Sequence, residues 1–196
     1  MLGAVRIFQP VHGYFVRREL LTWRADQWAS VNPGSVYNAL RALARDGFLE
    51  EVGTEAASGP ARTSYRLTDD GEGEFFQLLR EALWSVEAND PGRLMTAVSF
   101  MRSLSREEVL AALEHRVAEI EASHRSLEFS ISGVLDHPGK PRHVAELFYL
   151  NDARLQGELR WTHALAERLR EGGYSFAGEP ESNGLPEQPL DASHQV

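Results

Sequence analysis

Hydroxyl, amide and guanidinium side chains are concentrated in the stretch between Asn32 and Arg45. These groups hydrogen-bond to phosphates and to the base edges exposed in a DNA major groove. We predict that this stretch contacts double-stranded DNA, and the alternative is a solvated helix surface with Tyr37 partly packed. Arg45 is the weakest candidate because Asp46 lies beside it and the end of a helix often points away from the groove. The candidates are Asn32, Ser35, Tyr37, Asn38, Arg41 and Arg45.

A helix with one apolar face is predicted to position these groups. Asn32 can cap the free backbone N–H groups of a helix that begins at Pro33, where proline loses no hydrogen bond. Gly47 is a typical residue for ending it. The apolar residues at helical spacing, which leave the polar residues on the other faces, are Val36, Leu40 and Leu43.

A strand pair is predicted directly after this helix, from Phe48 to Val52 and from Thr63 to Leu67, with a loose tip at 53–60. Lone guanidinium and hydroxyl groups on such a hairpin commonly reach phosphates. The alternative is a hairpin edge without a ligand. The candidates on the second strand are Arg62, Thr63 and Ser64.

The remaining elements of the first half are predicted to be helices. One spans Leu2–Phe8, a second resumes at Tyr14 after a break at 10–13, and another follows Thr68 as its N-cap. We assign His12 and Tyr14 to packing at the joint between the first two. Helix, helix, capped helix, hairpin and helix is the order of a winged helix-turn-helix, whose wing here has two strands, and the fold class is mostly α, or α+β.

The second half is predicted to form two long antiparallel helices, about 105–135 and 142–170, the first opened by a Ser105–Glu108 capping box. Apolar residues in steps of three and four predict a coiled-coil-like seam, on which His124 and Asn151 are candidates for setting register. Because two thin helices make a poor core, we expect a second copy as partner. The dimerisation residues are Leu110, Leu113, Val117, Ile120, Leu127, Phe148, Leu155 and Leu165.

Composition excludes several classes of function. The chain of 196 residues has no cysteine and therefore no disulfide or thiolate site. It shows no secretion signal or apolar span, so we expect a cytoplasmic protein without a membrane partner. No phosphate loop, nucleophile elbow or metal-binding histidine spacing is present, and we predict no enzyme, cofactor or metal.

A net charge of −9 argues against DNA as a partner, but arginines nearly balance acids between Arg17 and Arg66.

Aromatic residues suggest a cavity for a small-molecule effector near the junction of the two halves. Ordinary core packing is the alternative for all of them. The three principal candidates for its lining are Trp84, Phe148 and Trp161, accompanied by Trp23, Trp28 and Tyr149. The predicted domains are 1–90 for the winged helix, 91–172 for the dimerisation helices and 173–196 for a disordered acidic tail.

Five motifs of the first half resemble the PadR family of bacterial regulators. They are Pro10-Val-His-Gly-Tyr14, Asn32-Pro-Gly-Ser-Val-Tyr37, Ala39-Leu-Arg-Ala-Leu-Ala-Arg-Asp-Gly47, Tyr65-Arg-Leu-Thr68 and Asp69-Asp-Gly71. The resemblance covers residues 2–88, and the second half is similar in pattern to the branch with a longer, virulence-activator-like helical domain. Family wings often carry an arginine-rich run before the tyrosine, whereas this chain has one arginine there, Arg62.

The resemblance implies a homodimer that binds an inverted-repeat operator through two recognition helices about one DNA turn apart. It also implies a transcriptional regulator, expected to be a repressor, with an effector in some members. The rival hypothesis is a helical protein-interaction module that uses the winged helix as a scaffold without binding DNA. A positive surface around Arg41 and Arg62 would favour the DNA hypothesis.

Overall fold

A computed structural model describes residues 1–29, 31–32, 34–55, 62–86 and 90–180 of the chain. The chain divides into two compact units, Met1–Met101 and Arg102–Val196. The first unit contains these helices and strands: α1 (Leu2–Phe8), β1 (Val11–His12), α2 (Gly13–Thr22), α3 (Ala25–Trp28), α4 (Val36–Arg45), β2 (Leu49–Glu55), β3 (Arg62–Leu67), α5 (Asp69–Trp84) and α6 (Pro91–Phe100).

The sheet of the first unit has three antiparallel strands in the order β1-β3-β2. β3 pairs with β2 from Leu49↔Leu67 to Glu55↔Arg62, with an irregularity between Glu51 and Thr54 that contains Gly53 at a φ of 70°. The sequence predicted only β2 and β3. β1 was missed because two residues are too short to show a strand period, and it is held by pairing with β3.

Helix α4 begins later than the sequence predicts. Its N-cap is Ser35 rather than Asn32, which forms the preceding turn instead, and Pro33 lies outside the described residues. Its end agrees with the prediction. Gly47 has a φ of 86°, and the backbone N–H groups of Gly47 and Phe48 donate to the carbonyls of Ala44 and Leu43, as in a Schellman motif.

Apolar side chains of α1, α2, α4 and the sheet form the core of the first unit. Val5, Val16, Val36 and Leu40 are fully buried, in agreement with the helical face predicted for α4. A chain of edge-on or tilted aromatic contacts extends this core. Its rings are Phe8, Phe15, Trp23, Phe100, Phe75 and Phe76.

Helix α5 starts at the predicted N-cap, where the Thr68 hydroxyl accepts a hydrogen bond from the Gly71 backbone N–H at 3.0 Å. Gly71 is required there because a Cβ would come within 1.9 Å of the Phe48 carbonyl oxygen. α6 packs on α5 and buries Leu94 and Ala97, so the first unit extends to Met101 rather than to the expected residue 90.

The second unit is a helical hairpin of α7 (Arg106–Leu135) and α8 (Ala145–Arg170), joined through a short 3₁₀ turn at Arg142–Val144. As predicted, the Ser105 hydroxyl caps α7 by accepting from the Glu108 backbone N–H. Cross-links between the helices are antiparallel, from Arg170–Glu114 at one end to His124–Asp152 nearer the other. His124 thus pairs with Asp152, and a role of His124 and Asn151 in setting register stays a prediction.

The predicted seam residues differ in their burial within this hairpin. Leu113, Ile120, Leu155 and Leu165 are at most 3% exposed in a single chain, so they hold α7 against α8 rather than offering a surface to another subunit. The half-buried members are Leu110, Val117, Leu127 and Phe148.

Residues 173–180 are ordered, although the sequence placed the start of a disordered tail at 173. Phe176 is 4% exposed, and the Ala177 backbone N–H donates to the carbonyls of Arg102 and Leu104. Arg106 joins the segment to α7 by donating to the carbonyls of Gly173 and Tyr174 and to Glu179. The rest of the predicted tail, 181–196, lies outside the described residues.

Within the described ranges, no helix combines the length and apolar character needed to cross a membrane.

Candidate nucleic-acid interface

The outer face of α4 presents the polar side chains that the sequence singled out. Val36 and Leu40 turn into the core, and the opposite face therefore carries Tyr37, Asn38 and Arg41 in contact with solvent. Tyr37 is 41% exposed, although tyrosine rings are usually more buried. The structure thus brings three predicted site residues onto one accessible helix face.

The two candidate arginines of α4 differ in their partners. In the part of the chain that the structure describes, Arg41 forms no hydrogen bond or ion pair. Arg45 donates from Nε and Nη2 to both carboxylate oxygens of Asp46, at 2.9 and 3.3 Å. Arg41 therefore keeps all its donors for a ligand, whereas Arg45 would first have to release Asp46.

Asn32 and Ser35 are engaged in the turn before α4. The Asn32 side-chain oxygen accepts from the Gly34 backbone N–H at 2.9 Å, and the Ser35 hydroxyl donates to the Asn32 carbonyl at 2.8 Å. These bonds form a local Asx-type turn and set the direction in which α4 begins. Both residues are exposed, and their contact with DNA stays a prediction.

Strand β3 carries the wing candidates. The Ser64 hydroxyl group and Nδ1 of His12 share a 2.9 Å hydrogen bond across the β1–β3 pair. Thr63 is half-buried on the other face of the strand. The side chain of Arg62 and the tip at 56–61 lie outside the described residues, so nothing is added to the prediction for Arg62.

A cleft of about 420 Å³ connects α2, α4 and β3. The sequence-predicted residues in its lining are Tyr37, Arg41 and Thr63. Sequence reasoning missed Tyr65 as a site residue and assigned His12 and Tyr14 to packing, but Tyr14 is 58% exposed at this cleft. The His-Gly-Tyr and Tyr-x-Leu-Thr motifs, which contain Tyr14 and Tyr65, could have pointed to these residues. Nothing in the sequence showed that the two motifs meet in the fold.

Gly13 allows α2 and α4 to approach each other closely at the base of the cleft. A Cβ at this position would lie 2.9 Å from Cδ1 of Tyr37 and 3.2 Å from Cδ1 of Leu40. Both distances are shorter than ordinary van der Waals contact, so a larger residue would displace the Tyr37 ring. The glycine thereby determines where Tyr37 stands relative to the first turn of α2.

The candidate effector residues fall in both units. Trp84 is 38% exposed on α5 of the first unit, while Phe148 and Trp161 are half-buried on α8 of the second. Trp23 and Trp28 follow the packing alternative, since Trp23 contacts Phe8 and Phe100 and the Trp28 indole donates to the Trp23 carbonyl.

A separate apolar cavity of about 210 Å³ lies within the first unit, between α1, α5 and α6. Its walls are apolar, and none of the three predicted pocket residues belongs to them. The principal lining residues are Leu2, Phe75, Leu79, Ala97 and Phe100. Among the described residues, no group of three His, Asp or Glu side chains is arranged to hold a metal ion.

Comparison with known proteins relates the sequence of the first unit to a family. Residues 1–77 match the Transcriptional regulator PadR-like family. This chain carries a PadR-like domain at its N-terminus. The match includes α1 to α4, the whole sheet and the first turns of α5, and it supports a DNA-binding transcriptional regulator. The PadR-like match ends before the second unit, so the predicted branch with a longer C-terminal domain stays a prediction. No curated protein matches the chain.

Solved structures of PadR proteins cover most of the chain at low similarity. Bacillus subtilis PadR in complex with operator DNA is 20% identical, covers 81% of this chain and 91% of its own, and has a TM-score of 0.36. A PadR-like transcriptional regulator from Bacillus cereus is 16% identical over 86% of this chain and 92% of its own, with a TM-score of 0.36. Bacillus subtilis PadR in complex with p-coumaric acid is 18% identical over 82% of this chain and 90% of its own, with a TM-score of 0.37.

Proposed function

We propose that the protein is a sequence-specific, DNA-binding transcriptional regulator without enzymatic activity, which acts on the chromosome in the cytoplasm. Helix α4 enters the major groove, while β3 and the start of α2 lie along the backbone. The observation that carries the proposal is Arg41, an exposed guanidinium without a protein partner among the described residues, next to Tyr37 on the outer face of α4. A free guanidinium on a helix suits bidentate bonding to guanine.

We further propose that the protein binds an inverted repeat as a homodimer and acts as a repressor. Support for a dimer comes from the second unit, where Phe129, Leu147 and Leu150 are 82, 67 and 61% exposed. His124 and Asp152 pair across the antiparallel hairpin. Phe129 lies five residues after His124 and Leu147 lies five residues before Asp152, so Phe129 and Leu147 lie at the same height along the two helices. Exposed apolar side chains that are grouped in this way favour burial against another protein surface.

A small apolar effector is the third part of the proposal. The 210 Å³ cavity of the first unit has room for a compact ligand and offers it mainly carbon atoms. Phe100 lines that cavity and contacts Trp23 at a ring-centroid distance of 6.0 Å, so a bound ligand should alter Trp23 fluorescence. A screen of small aromatic compounds with unchanged emission throughout would count against an effector at this site.

The test of DNA binding starts with enrichment of duplexes from a random library by the purified full chain. Fluorescence anisotropy then compares the enriched duplex with a scrambled one at about 50 and about 200 mM salt. We expect Arg41→Ala to weaken binding about tenfold or more and to reduce discrimination between the two duplexes. Arg170→Ala is the matched control, because it removes the same charge from an exposed position on α8.

The outcomes separate the two hypotheses for this protein. Salt-dependent binding that Arg41→Ala weakens and Arg170→Ala preserves supports α4 as the DNA-reading element. If no duplex is enriched and none binds even at low salt, the DNA-binding proposal is wrong and the protein-interaction hypothesis takes its place. Equal losses in both variants would mean that the net charge matters and α4 does not.

A further inference from the structure

The cleft between α2, α4 and β3 is lined by the phenol of a mostly buried tyrosine. Tyr65 is only 7% exposed, and it lines the cleft together with Arg41 and Thr63. No described residue forms a hydrogen bond with its hydroxyl group. The ring is buried, but the hydroxyl group is not among the buried polar atoms without a partner, so it is open to the cleft. This hydroxyl group is therefore available to a ligand that enters the cleft.

The first turn of α2 supplies a second set of donors to the same cleft. Gly13 and Tyr14, its first two residues, both line the cleft. His12 is the N-cap, but its side chain makes no capping hydrogen bond and is instead bonded through Nδ1 to Ser64. The backbone N–H groups of the first turn thus lack a side-chain cap, at the helix end where the peptide dipoles favour an anion.

We propose that the first turn of α2, the Tyr65 hydroxyl group and the Arg41 guanidinium together hold one phosphate group of the DNA backbone. The proposal rests on the proposed DNA-binding function and adds a positional contact to it. Three kinds of donor converge on one cleft, namely backbone N–H, phenol and guanidinium, and a phosphate has enough acceptor oxygens for all three. The guanidinium group of Arg41 has several N–H donors, so it can bond this DNA phosphate and also a base edge in front of α4.

One acidic residue opposes this site. Glu51 lies opposite Tyr65 in the β2–β3 pair. Burial and the Glu51 carboxylate raise the pKa of Tyr65, and Arg41 acts in the opposite direction, so the phenol stays protonated and can donate. Because Glu51 also repels a phosphate, Glu51→Gln should tighten DNA binding, an effect opposite in sign to that of Arg41→Ala.

The experiment combines a single-atom change in the protein with single-phosphate changes in the DNA. In the enriched duplex, each phosphate in turn is replaced by an uncharged methylphosphonate, and anisotropy measures binding of the wild type and of Tyr65→Phe. Tyr149→Phe is the matched control, since it removes an exposed phenolic oxygen from the second unit. The Tyr65→Phe change keeps the ring, so the fold is retained.

We expect Tyr65→Phe to weaken binding about tenfold or more on enriched and scrambled duplexes alike, the range of one hydrogen bond to a charged group. At one phosphate per half-site, replacement by methylphosphonate should reduce the affinity of the wild type by a larger factor than the affinity of Tyr65→Phe. If both proteins show the same penalty at every phosphate, the proposal is overturned although DNA binding stands.

A titration with inorganic phosphate separates this proposal from the proposed function. Chemical shifts of the Gly13 and Tyr14 backbone amides are followed in the wild type and in Tyr65→Phe. If the wild type binds no duplex but phosphate shifts these amides only when the Tyr65 hydroxyl group is present, the anion site stands and the DNA function falls. If neither duplex nor phosphate binds, both are wrong.

Discussion

The two units differ in which surface groups they leave without a partner. In the first unit the rings of Trp23, Phe100 and Phe75 pack against one another, while Arg41 and the Tyr65 hydroxyl group have no hydrogen-bond partner among the described residues. In the second unit Arg116 is 2% exposed and its Nε donates to Glu158 at 2.5 Å, while Phe129 is 82% exposed. Among the described residues, the first unit thus has two unpaired donors lining one cleft, and the second has its most exposed large apolar side chain, Phe129, on α7.

This difference is the physical basis of the two partners proposed above. Unused donors gain free energy from a ligand rich in acceptor oxygens, which describes a nucleic acid backbone. Exposed apolar side chains gain it when another protein surface excludes water from them. The net charge of −9 does not conflict with DNA binding, because binding depends on the charge and donors at the contacting face.

The largest effect is expected from removing the buried cation of the second unit. Arg116→Met should lower the free energy of unfolding by about 3 kcal/mol or more, because it leaves the Glu158 carboxylate half-buried and unpaired. Denaturant unfolding followed by circular dichroism measures this. Arg170→Met, which breaks the exposed pair with Glu114, should cost under about 1 kcal/mol. Similar losses in the two variants would contradict the contrast between buried and exposed pairs.

A charge in the apolar surface of the second unit should prevent self-association. We expect Phe129→Glu to raise the dissociation constant of a dimer about a hundredfold, since the carboxylate would have to be desolvated at the interface. Light scattering over a dilution series reports the mass. Phe129→Leu retains apolar character and should remain dimeric. A wild type that is monomeric at every concentration, or a Phe129→Glu variant that stays dimeric, would show that this surface is not the interface.

An added methyl group at the base of the cleft should affect the first unit by a smaller amount. Gly13→Ala places a Cβ 2.9 Å from the Tyr37 ring, and we expect a loss of about 1–2 kcal/mol in stability together with weaker DNA binding. Gly73→Ala is the control, because this position on α5 has open space around it and the helix should gain about 0.5 kcal/mol or more. Thermal unfolding and anisotropy test both, and an unperturbed Gly13→Ala variant would contradict the close approach.

The smallest expected effect is a pH dependence confined to the second unit. The hydrogen bond from His124 to Asp152 raises the pKa of His124, with a lesser contribution from Glu128, while desolvation and Arg125 act in the opposite direction. Since the folded pKa exceeds the unfolded value of 6.5, this stabilisation is fully present below pH 6.5 and is lost as the pH rises through the folded pKa.

Unfolding temperatures measured from about pH 6 to about pH 9 test the direction of this effect. The wild type should lose more stability over this range than Asp152→Asn, which removes the main cause of the raised pKa. Glu128→Gln should retain most of the dependence, because its oxygen lies 3.6 Å from His124 Nε2 and contributes less. Parallel curves for the wild type and Asp152→Asn would show that the pair does not affect folding.

Local signals predicted much of the fold. The hydroxyl caps at Thr68 and Ser105 and the glycine after α4 are where the sequence placed them, because each depends on bonds within one or two turns of chain. The start of α4 was misplaced, since Asn32 satisfies its own turn instead of capping the helix. The strand β1 was missed because only its partner β3 defines it.

The candidate site was predicted only in part, because local spacing shows which residues share a helix face but not which separate segments meet. Tyr37, Asn38 and Arg41 share a helix face through spacing alone, and that face is exposed as expected. The engagement of Ser64 with His12 and the convergence of Tyr14 and Tyr65 on Arg41 depend on how three separate segments pack. The exposure of Phe129 likewise depends on how α7 rotates against α8.

The sequence by itself determined the order of the elements, their caps, the apolar helix faces and the family motifs of the first 77 residues, because these depend on contacts between near neighbours in the chain. The tertiary structure decided which polar groups remain unpaired and which apolar seam residues are buried between α7 and α8 of one chain. Pairing and burial are set by contacts between residues far apart in sequence, and a single chain without an alignment carries no direct record of those contacts.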